Sequence, residues 1–263
     1  MLTDAHCHPF DLLRVFPQAE GERQRLGVIA AASACDFEEF AHNEYLRHKA
    51  AEKEAALLLP CFAVHPQAAD NEKKARSSEQ LILLEELAAA GRIAAVGECG
   101  FDLYNAAFRE TEKMQDSIFA SHLETALRRS LPLILHVRRA IHKIFAVTKD
   151  LAKCKAVIFH SWPGTFEEGQ SLLRRGVNAY FSFGNTVLNG HKQAMRSCAL
   201  FPAERLLTET DAPFQPAQKE SFSQWSNLPR IIKAAADLRS VNEKELETQI
   251  EANFRKTFNL ESV

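Results

Sequence analysis

Apolar residues in this chain gather into eight runs of strand length, most of them followed by a longer segment in which they recur at helical spacing. The runs are Leu2 to His8, Val28 to Ala32, Leu57 to His65, Ala94 to Cys99, Leu133 to Val137, Ala156 to His160, Ala179 to Phe183 and Leu206 to Thr210. Most are nearly continuous rather than alternating, as in strands buried on both faces. Helical patterns span Asp36 to Lys53, Ser78 to Ala90, Glu110 to Arg129, Ile141 to Leu151, Phe166 to Arg175, Asn189 to Cys198, Leu228 to Leu238 and Glu243 to Phe258. Ser77-Ser78 ahead of Glu79 reads as a helix start and Gly91 as its stop. Eight strands alternating with helices predict an α/β fold, a single (β/α)8 barrel, with a doubly wound open sheet as its rival. No Pro, Gly or Ser linker divides the chain, so residues 1–263 read as one domain. Asp211 to Ser226 has no periodicity and reads as a loop that closes over a site.

Composition narrows the function classes. The 263 residues carry 32 Lys plus Arg against 34 Asp plus Glu, a formal charge of −2. A protein gripping nucleic acid mainly by counterion release is normally far more basic, so any phosphate must be met by a local positive site such as bound cations. A chain this long completes a core without a disulfide or structural metal, so a metal would be present for chemistry. The six cysteines are scattered without a C-x-x-C pair, and the opening MLTDAHCHPF lacks the basic and apolar regions of a secretory signal. No apolar run approaches the roughly 20 residues that span a bilayer. The expectation is a reduced, cytoplasmic protein without a membrane partner, monomeric by default.

The ten histidines fall into two groups. His42, His48, His122, His142 and His191 lie in helical patterns and read as solvated or capping imidazoles. His6, His8, His65, His136 and His160 end apolar runs, and in a β/α barrel the C-terminal strand ends converge on the active site. His6 and His8 share a strand face about 7 Å apart, which one or two cations can bridge, while Cys7 faces the helices. Glu98 in VGECG and Asp211 in LTETDAP are carboxylates closing apolar runs, and a buried carboxylate without a partner is costly. Four imidazoles and two carboxylates exceed the needs of one cation. Two divalent ions sharing Glu98 is the simplest solution, Mg, Mn or Zn being compatible with such donors. A hydrogen-bonded polar plug without metal is the alternative to be excluded.

The segments DAHCHPF, AVHP, GECGFD, LPLILHVRRA, HSWPG, YFSFG and LTETDAP stand in an order and spacing that resembles the TatD family of metal-dependent deoxyribonucleases, within the wider amidohydrolase-like barrels. The resemblance runs from Asp4 to the C-terminal helix. It implies a TIM barrel, divalent-metal hydrolysis of phosphodiester bonds in DNA, metal ligation by His6, His8, Glu98, His136, His160 and Asp211, and substrate contact by His65. Two departures concern substrate choice. Pro163 precedes the glycine in Ser161-Trp162-Pro163-Gly164, and Ser226-Asn227-Leu228-Pro229 stands where relatives carry a base and Asn-Glu-Pro.

These residues predict hydrolysis by metal-activated water, with Asp211 as general base and Glu98 as the shared ligand. His65 and Arg138 are candidate phosphate donors, and Trp162 could stack on a base or sugar or form an apolar lid. Phe101 and Phe214 read as core. Two alternatives stay open: the same centre acting on a carboxylic ester, lactone or amide, and a non-catalytic nucleic-acid binding module.

Overall fold

The computed structural model describes residues 1–52, 56–69 and 74–260. Eight parallel strands follow one another in a single sheet in the order of the chain: β1 (Thr3–Cys7), β2 (Ile29–Ala34), β3 (Leu58–Phe62), β4 (Ala95–Asp102), β5 (Leu133–Arg138), β6 (Val157–Phe159), β7 (Ala179–Phe183) and β8 (Leu206–Thr208). Each lies within one of the expected apolar runs or overshoots it by a few residues. Between β8 and β1 the seam is sewn by side chains: Asp4 accepts from the Thr210 backbone N–H at 3.0 Å and its hydroxyl at 2.6 Å. Asp211 N–H donates to the His6 carbonyl and His8 N–H to the Ala212 carbonyl, so the sheet curls into a nearly closed barrel. Burial pushes the Asp4 carboxyl up to about 7 against the pull of those Thr210 donors.

The helices are α1 (Pro9–Val15), α2 (Ala19–Leu26), α3 (Phe37–Glu52), α4 (Lys74–Ala89), α5 (Ala106–Glu110), α6 (Glu112–Arg129), α7 (Ile141–Ala146), α8 (Thr148–Leu151), α9 (Phe166–Arg174), α10 (Asn185–Leu188), α11 (Lys192–Leu200), α12 (Asn227–Arg239) and α13 (Glu243–Thr257). The sequence pattern omits α1, α2 and α10, reaches only the last residue of α5, and merges α7 with α8. Lys53, the expected end of α3, lies outside the described residues. Helix α4 is described from Lys74, and Ser77, read as part of its start signal, is a buried helical residue. Its stop is as expected, with Gly91 at φ +64°.

Two layers of packing follow from the strand period of two. Ala31, Leu59, Cys61, Ala95, Ile134, Ile158, Tyr180 and Leu207 form one cluster that α13 joins through Phe254 and Phe258. Two positions further along their strands stand Ser33, His136, His160, Ser182 and Glu209, so a polar layer sits directly above an apolar one. Val96, Leu135, Phe159 and Phe181 face the other way, into the helical ring.

Helix α6 corrects one histidine. His122 is fully buried, and its Nε2 accepts the Val64 N–H at 3.0 Å. Its position on the inner face of α6 is set by that backbone donor at the end of β3, which no helical periodicity reveals. Burial pushes its imidazole down to about 3. The folded protein therefore holds His122 neutral, whereas the unfolded chain takes up a proton near pH 6.5. This contribution to stability is complete above pH 6.5 and is lost as pH falls toward 3, at about 1.4 kcal/mol per pH unit. Denaturant titrations of the parent and His122→Gln between pH 4 and 6.5 should differ in slope by that amount; parallel curves would remove His122 as the cause.

Candidate active site

The polar layer opens into a cavity of about 670 Å³ at the C-terminal strand ends, lined by His8, His65, Glu98, His136, Arg138, His160, Asp211, Phe214 and Gln215 among others. His6 lies beneath it, fully buried. Imidazoles from β1, β5 and β6 thus meet carboxylates from β4 and the end of β8, although they are separated by up to two hundred residues of chain.

Glu98 reaches this point through a local irregularity. The β4–β5 register shifts between Val96 and Cys99, and those two residues, three apart, both pack outward. The extra residue breaks the alternation and lets the Glu98 side chain turn inward. Its Oε1 lies 2.6 Å from His136 Nδ1, 3.3 Å from His160 Nε2 and 3.4 Å from His65 Nε2, while Oε2 lies 3.1 Å from His6 Nε2 and 3.5 Å from His8 Nε2. Asp211 Oδ1 lies 3.4 Å from His6 Nε2 and 3.6 Å from His8 Nε2. The His6 and His8 Nε2 atoms are 3.0 Å apart. Rather than standing a strand repeat apart, the two side chains converge, because β1 ends at Cys7 and His8 already belongs to the turn into α1.

Three overlapping trios have ligand atoms close enough to share an ion: His6, Glu98 and His160; His6, His8 and Asp211; and His65, Glu98 and His136. All six expected metal ligands are therefore brought together. His65, expected to touch substrate, lines the cavity and also stands in the third trio. Among the described residues the cysteines contribute to none of them. Cys7 packs outward as expected, its thiol on the Ala31 carbonyl.

The charges support a cation-binding reading of the donor set. Burial pushes the Glu98 carboxyl up, but His65, His6 and His160 beside it, and the hydrogen bond from His136, outweigh burial and hold it well below the usual range. Asp211 is held down in the same way by His160, His6 and His8. For His6 burial acts downward and the two carboxylates prevail, raising it well above the ordinary value. His136 is raised to about 9 by Asp102 and Glu98 against burial. Two buried anions facing crowded imidazoles call for positive charge at their centre, and nitrogen and oxygen donors of this kind suit a divalent ion.

Three residues that the sequence pattern did not single out hold the donors in place. Glu209 is fully buried, and its Oε1 accepts from the Ser161 N–H at 2.7 Å and the Ser161 hydroxyl at 2.9 Å beside His160 Nδ1 at 3.1 Å. Asp102 Oδ2 stands 3.1 Å from His136 Nε2 and accepts from Gln67 at 2.7 Å. Gln215 Nε2 donates to Asp211 Oδ2 at 2.7 Å and to the Ser161 hydroxyl at 2.8 Å. Glu209 was legible in principle, since it sits two residues before Asp211 in the same apolar run.

Arg138 lines the cavity as expected. Trp162 does not. It is 3% exposed and packs edge-on against Phe159 and Phe181, with Gly164 tight against its ring, so no base can stack on it. The apolar ring was drawn into the core by the phenylalanines of β6, β7 and Phe201. Phe101 is core, whereas Phe214 is 48% exposed and edge-on to His8 at 5.2 Å, a wall of the cavity rather than core. The Asp211–Ser226 segment is irregular as expected and supplies both Phe214 and Gln215.

Fold and site together define a β/α-barrel of the hydrolase type, with a candidate metal centre at the mouth of its strands. The family model of the TatD related DNases matches residues 3–259, and the chain belongs to that family. It is 34% identical to the 3'-5' ssDNA/RNA exonuclease TatD of Erwinia tasmaniensis over 75% of this chain and 76% of that one. With the protein of the same description from Escherichia coli K12 it shares 28% over 80% and 82%. A protein of Buchnera aphidicola described as an uncharacterized metal-dependent hydrolase is 26% identical over 99% and 97%. In fold the chain resembles a crystal structure of a TatD homologue from E. coli K12, with a TM-score of 0.83 and 24% identity over 98% of each chain.

Proposed function

We propose that the chain is a single-domain, divalent-metal-dependent phosphodiesterase acting on DNA or RNA strands. The observation that carries this reading is Glu98, a buried ionised carboxylate whose two oxygens face different sets of imidazoles. Glu98 with His65 and His136, and His6, His8 and Asp211 beside it, would hold divalent ions, with His160 completing the donor set. Bound there, such ions would supply an activated water near neutral pH and would neutralise phosphoryl oxygens, which answers the absence of net positive charge in the chain.

The protein's own groups divide the remaining work. Asp211 accepts the proton of the attacking water, and Gln215 fixes its carboxylate by occupying Oδ2. Arg138, at the cavity wall, donates to the phosphoryl oxygens. Glu209 and Asp102 hold His160 and His136 in one orientation, as carboxylates behind ligating imidazoles do. Among the described residues no helix is long and apolar enough to cross a membrane.

The test pairs a single-stranded oligonucleotide and bis(p-nitrophenyl) phosphate with a lactone, each in buffer supplemented in turn with Mg, Mn and Zn. Both diesters should be cleaved, and excess chelator should abolish turnover until metal is restored. Turnover of the lactone alone would replace this reading by that of a carboxylic ester hydrolase on the same centre.

A further inference from the structure

Beyond the wall of the cavity, three arginines converge on one tyrosine. Tyr104 follows β4, is 43% exposed, and carries the Arg138 guanidinium 3.7 Å and the Arg139 guanidinium 4.6 Å from its ring centroid. Neighbouring strand residues point to opposite faces, so this convergence needs a break in the backbone. Arg139 supplies it with φ +54°, just past the end of β5, and its Nη1 donates to the Tyr104 carbonyl at 3.4 Å. Arg109 of α5 donates to the same carbonyl at 3.4 Å and to that of Leu103 at 3.2 Å.

Eight other described arginines, among them Arg14, Arg23, Arg92, Arg196 and Arg230, face a carboxylate within 4 Å. Among the described residues Arg109, Arg138 and Arg139 have none within 4 Å. Asp102, the nearest carboxylate in sequence, is turned to His136, Gln67 and the Tyr104 N–H. Three positive charges are thus concentrated at the cavity rim of a chain whose formal charge is −2. Each guanidinium has five N–H donors, and the carbonyl bonds here occupy a minority of them. Held against the ring, they have already lost much of the side-chain freedom that binding would otherwise cost.

We propose that Tyr104, Arg109 and Arg139 form a subsite for the backbone phosphate of the nucleotide next to the scissile one, with Arg138 spanning between it and the cavity. The proposal rests on the phosphodiester reading above and deepens it: the preferred substrate is a strand rather than a small phosphate ester. Tyr104 is a positioning residue, acting through the two guanidiniums that lie on it, and Arg139 and Arg109 touch the strand. The local concentration of charge substitutes for the overall basicity that the chain lacks.

The experiment measures kcat and KM for a single-stranded oligonucleotide and for bis(p-nitrophenyl) phosphate in the parent, Arg139→Gln, Arg109→Gln, Tyr104→Phe and Tyr104→Leu. Arg139→Gln should raise the oligonucleotide KM about tenfold at low salt, the loss of one charge-assisted contact. It should also reduce the slope of log(kcat/KM) against log salt by about 0.7, one phosphate on a single strand. Arg109→Gln should act in the same direction. Tyr104→Leu should resemble Arg139→Gln, while Tyr104→Phe, which keeps the ring, should resemble the parent. The small diester, which cannot reach the subsite, should be turned over alike by the parent, Arg139→Gln, Arg109→Gln and Tyr104→Phe; Tyr104→Leu, which also frees Arg138, should lose some of that turnover. In Arg139→Gln, an unchanged oligonucleotide KM, or a parallel loss on both substrates, would overturn the subsite. If the parent cleaves neither substrate, the phosphodiester reading fails on its own. Anisotropy of a labelled oligonucleotide then decides the subsite separately: equal affinity and salt slope in parent and Arg139→Gln would overturn it.

Discussion

Asp211→Asn is expected to lower kcat on a phosphodiester about a thousandfold while the protein still folds and still takes up metal. Proton transfer by a positioned base contributes on the order of 10²–10⁴ in rate. Of the other carboxylates lining the cavity, Asp11 faces Arg14 and Glu39 accepts from the Cys35 N–H, away from the imidazoles. Glu98 is surrounded by imidazoles on both oxygens, and Glu209 is fully buried against Ser161 and His160. Asn has the same shape, so its oxygen can still accept from Gln215, and the turn that begins at Asp211, with its φ of +53°, is one Asn adopts readily. What the substitution removes is the negative charge and the proton-accepting capacity. The measurement is kcat at saturating metal, with metal content by elemental analysis and folding by circular dichroism. A kcat within tenfold of the parent would show that another group takes the proton. Loss of bound metal would instead mean that the charge of Asp211 serves the ion first and the water second.

Much of this site could be read before any coordinates because a barrel converts sequence position into spatial position. A residue that ends an apolar run lies near the strand's C-terminal end, so topology brought His6, His136, His160 and Asp211 together, whereas Glu98 joins them only because the irregularity in β4 turns it inward. Topology does not say what stands one shell behind. Glu209 and Asp102 lie in or beside the same runs, but only the Ser161 and Gln67 contacts reveal what they hold. Gln215 was invisible because its role depends on a turn with φ +48° in a segment without periodicity. Helices α1 and α2 were missed for a different reason. Helix α1 has only seven residues, and α2 is polar, held partly by the buried Arg23, whose Nη1 donates to the Val28 and Ala56 carbonyls at 2.9 and 2.8 Å. A charge pattern reads such an arginine as solvated. The misplacements of Trp162 and His122 share that cause: each is an amphipathic ring whose direction is set by a partner on another element.

Gly100→Ala is expected to destabilise the barrel by about 2–6 kcal/mol and to disturb the metal site with it. Gly100 lies opposite His136 in the β4–β5 ladder, at φ +132°, a conformation side chains rarely adopt. A Cβ there would lie 2.2 Å from the His136 carbonyl oxygen, backbone that cannot swing aside as a flexible side chain could. Backbone strain of roughly 1–3 kcal/mol and overpacking of about 1–3 kcal/mol then act at the same point, so they add only if β5 stays in place. If β5 moves instead, His136 moves with it, and the contact with Glu98 at 2.6 Å and that with Asp102 at 3.1 Å are lost. Stability and metal affinity are therefore coupled through one backbone contact: the glycine that lets β4 approach β5 is also what brings His136 to Glu98. Thermal unfolding with and without divalent metal separates the outcomes. The variant should melt about 4–24 °C below the parent, at roughly 2–4 °C per kcal/mol for a chain of this size. It should also gain less than the parent from added metal, because a displaced His136 weakens binding to the folded state. A melting temperature within 2 °C of the parent would mean that the two strands accommodate a methyl group at this point, and that their close approach is not what fixes His136.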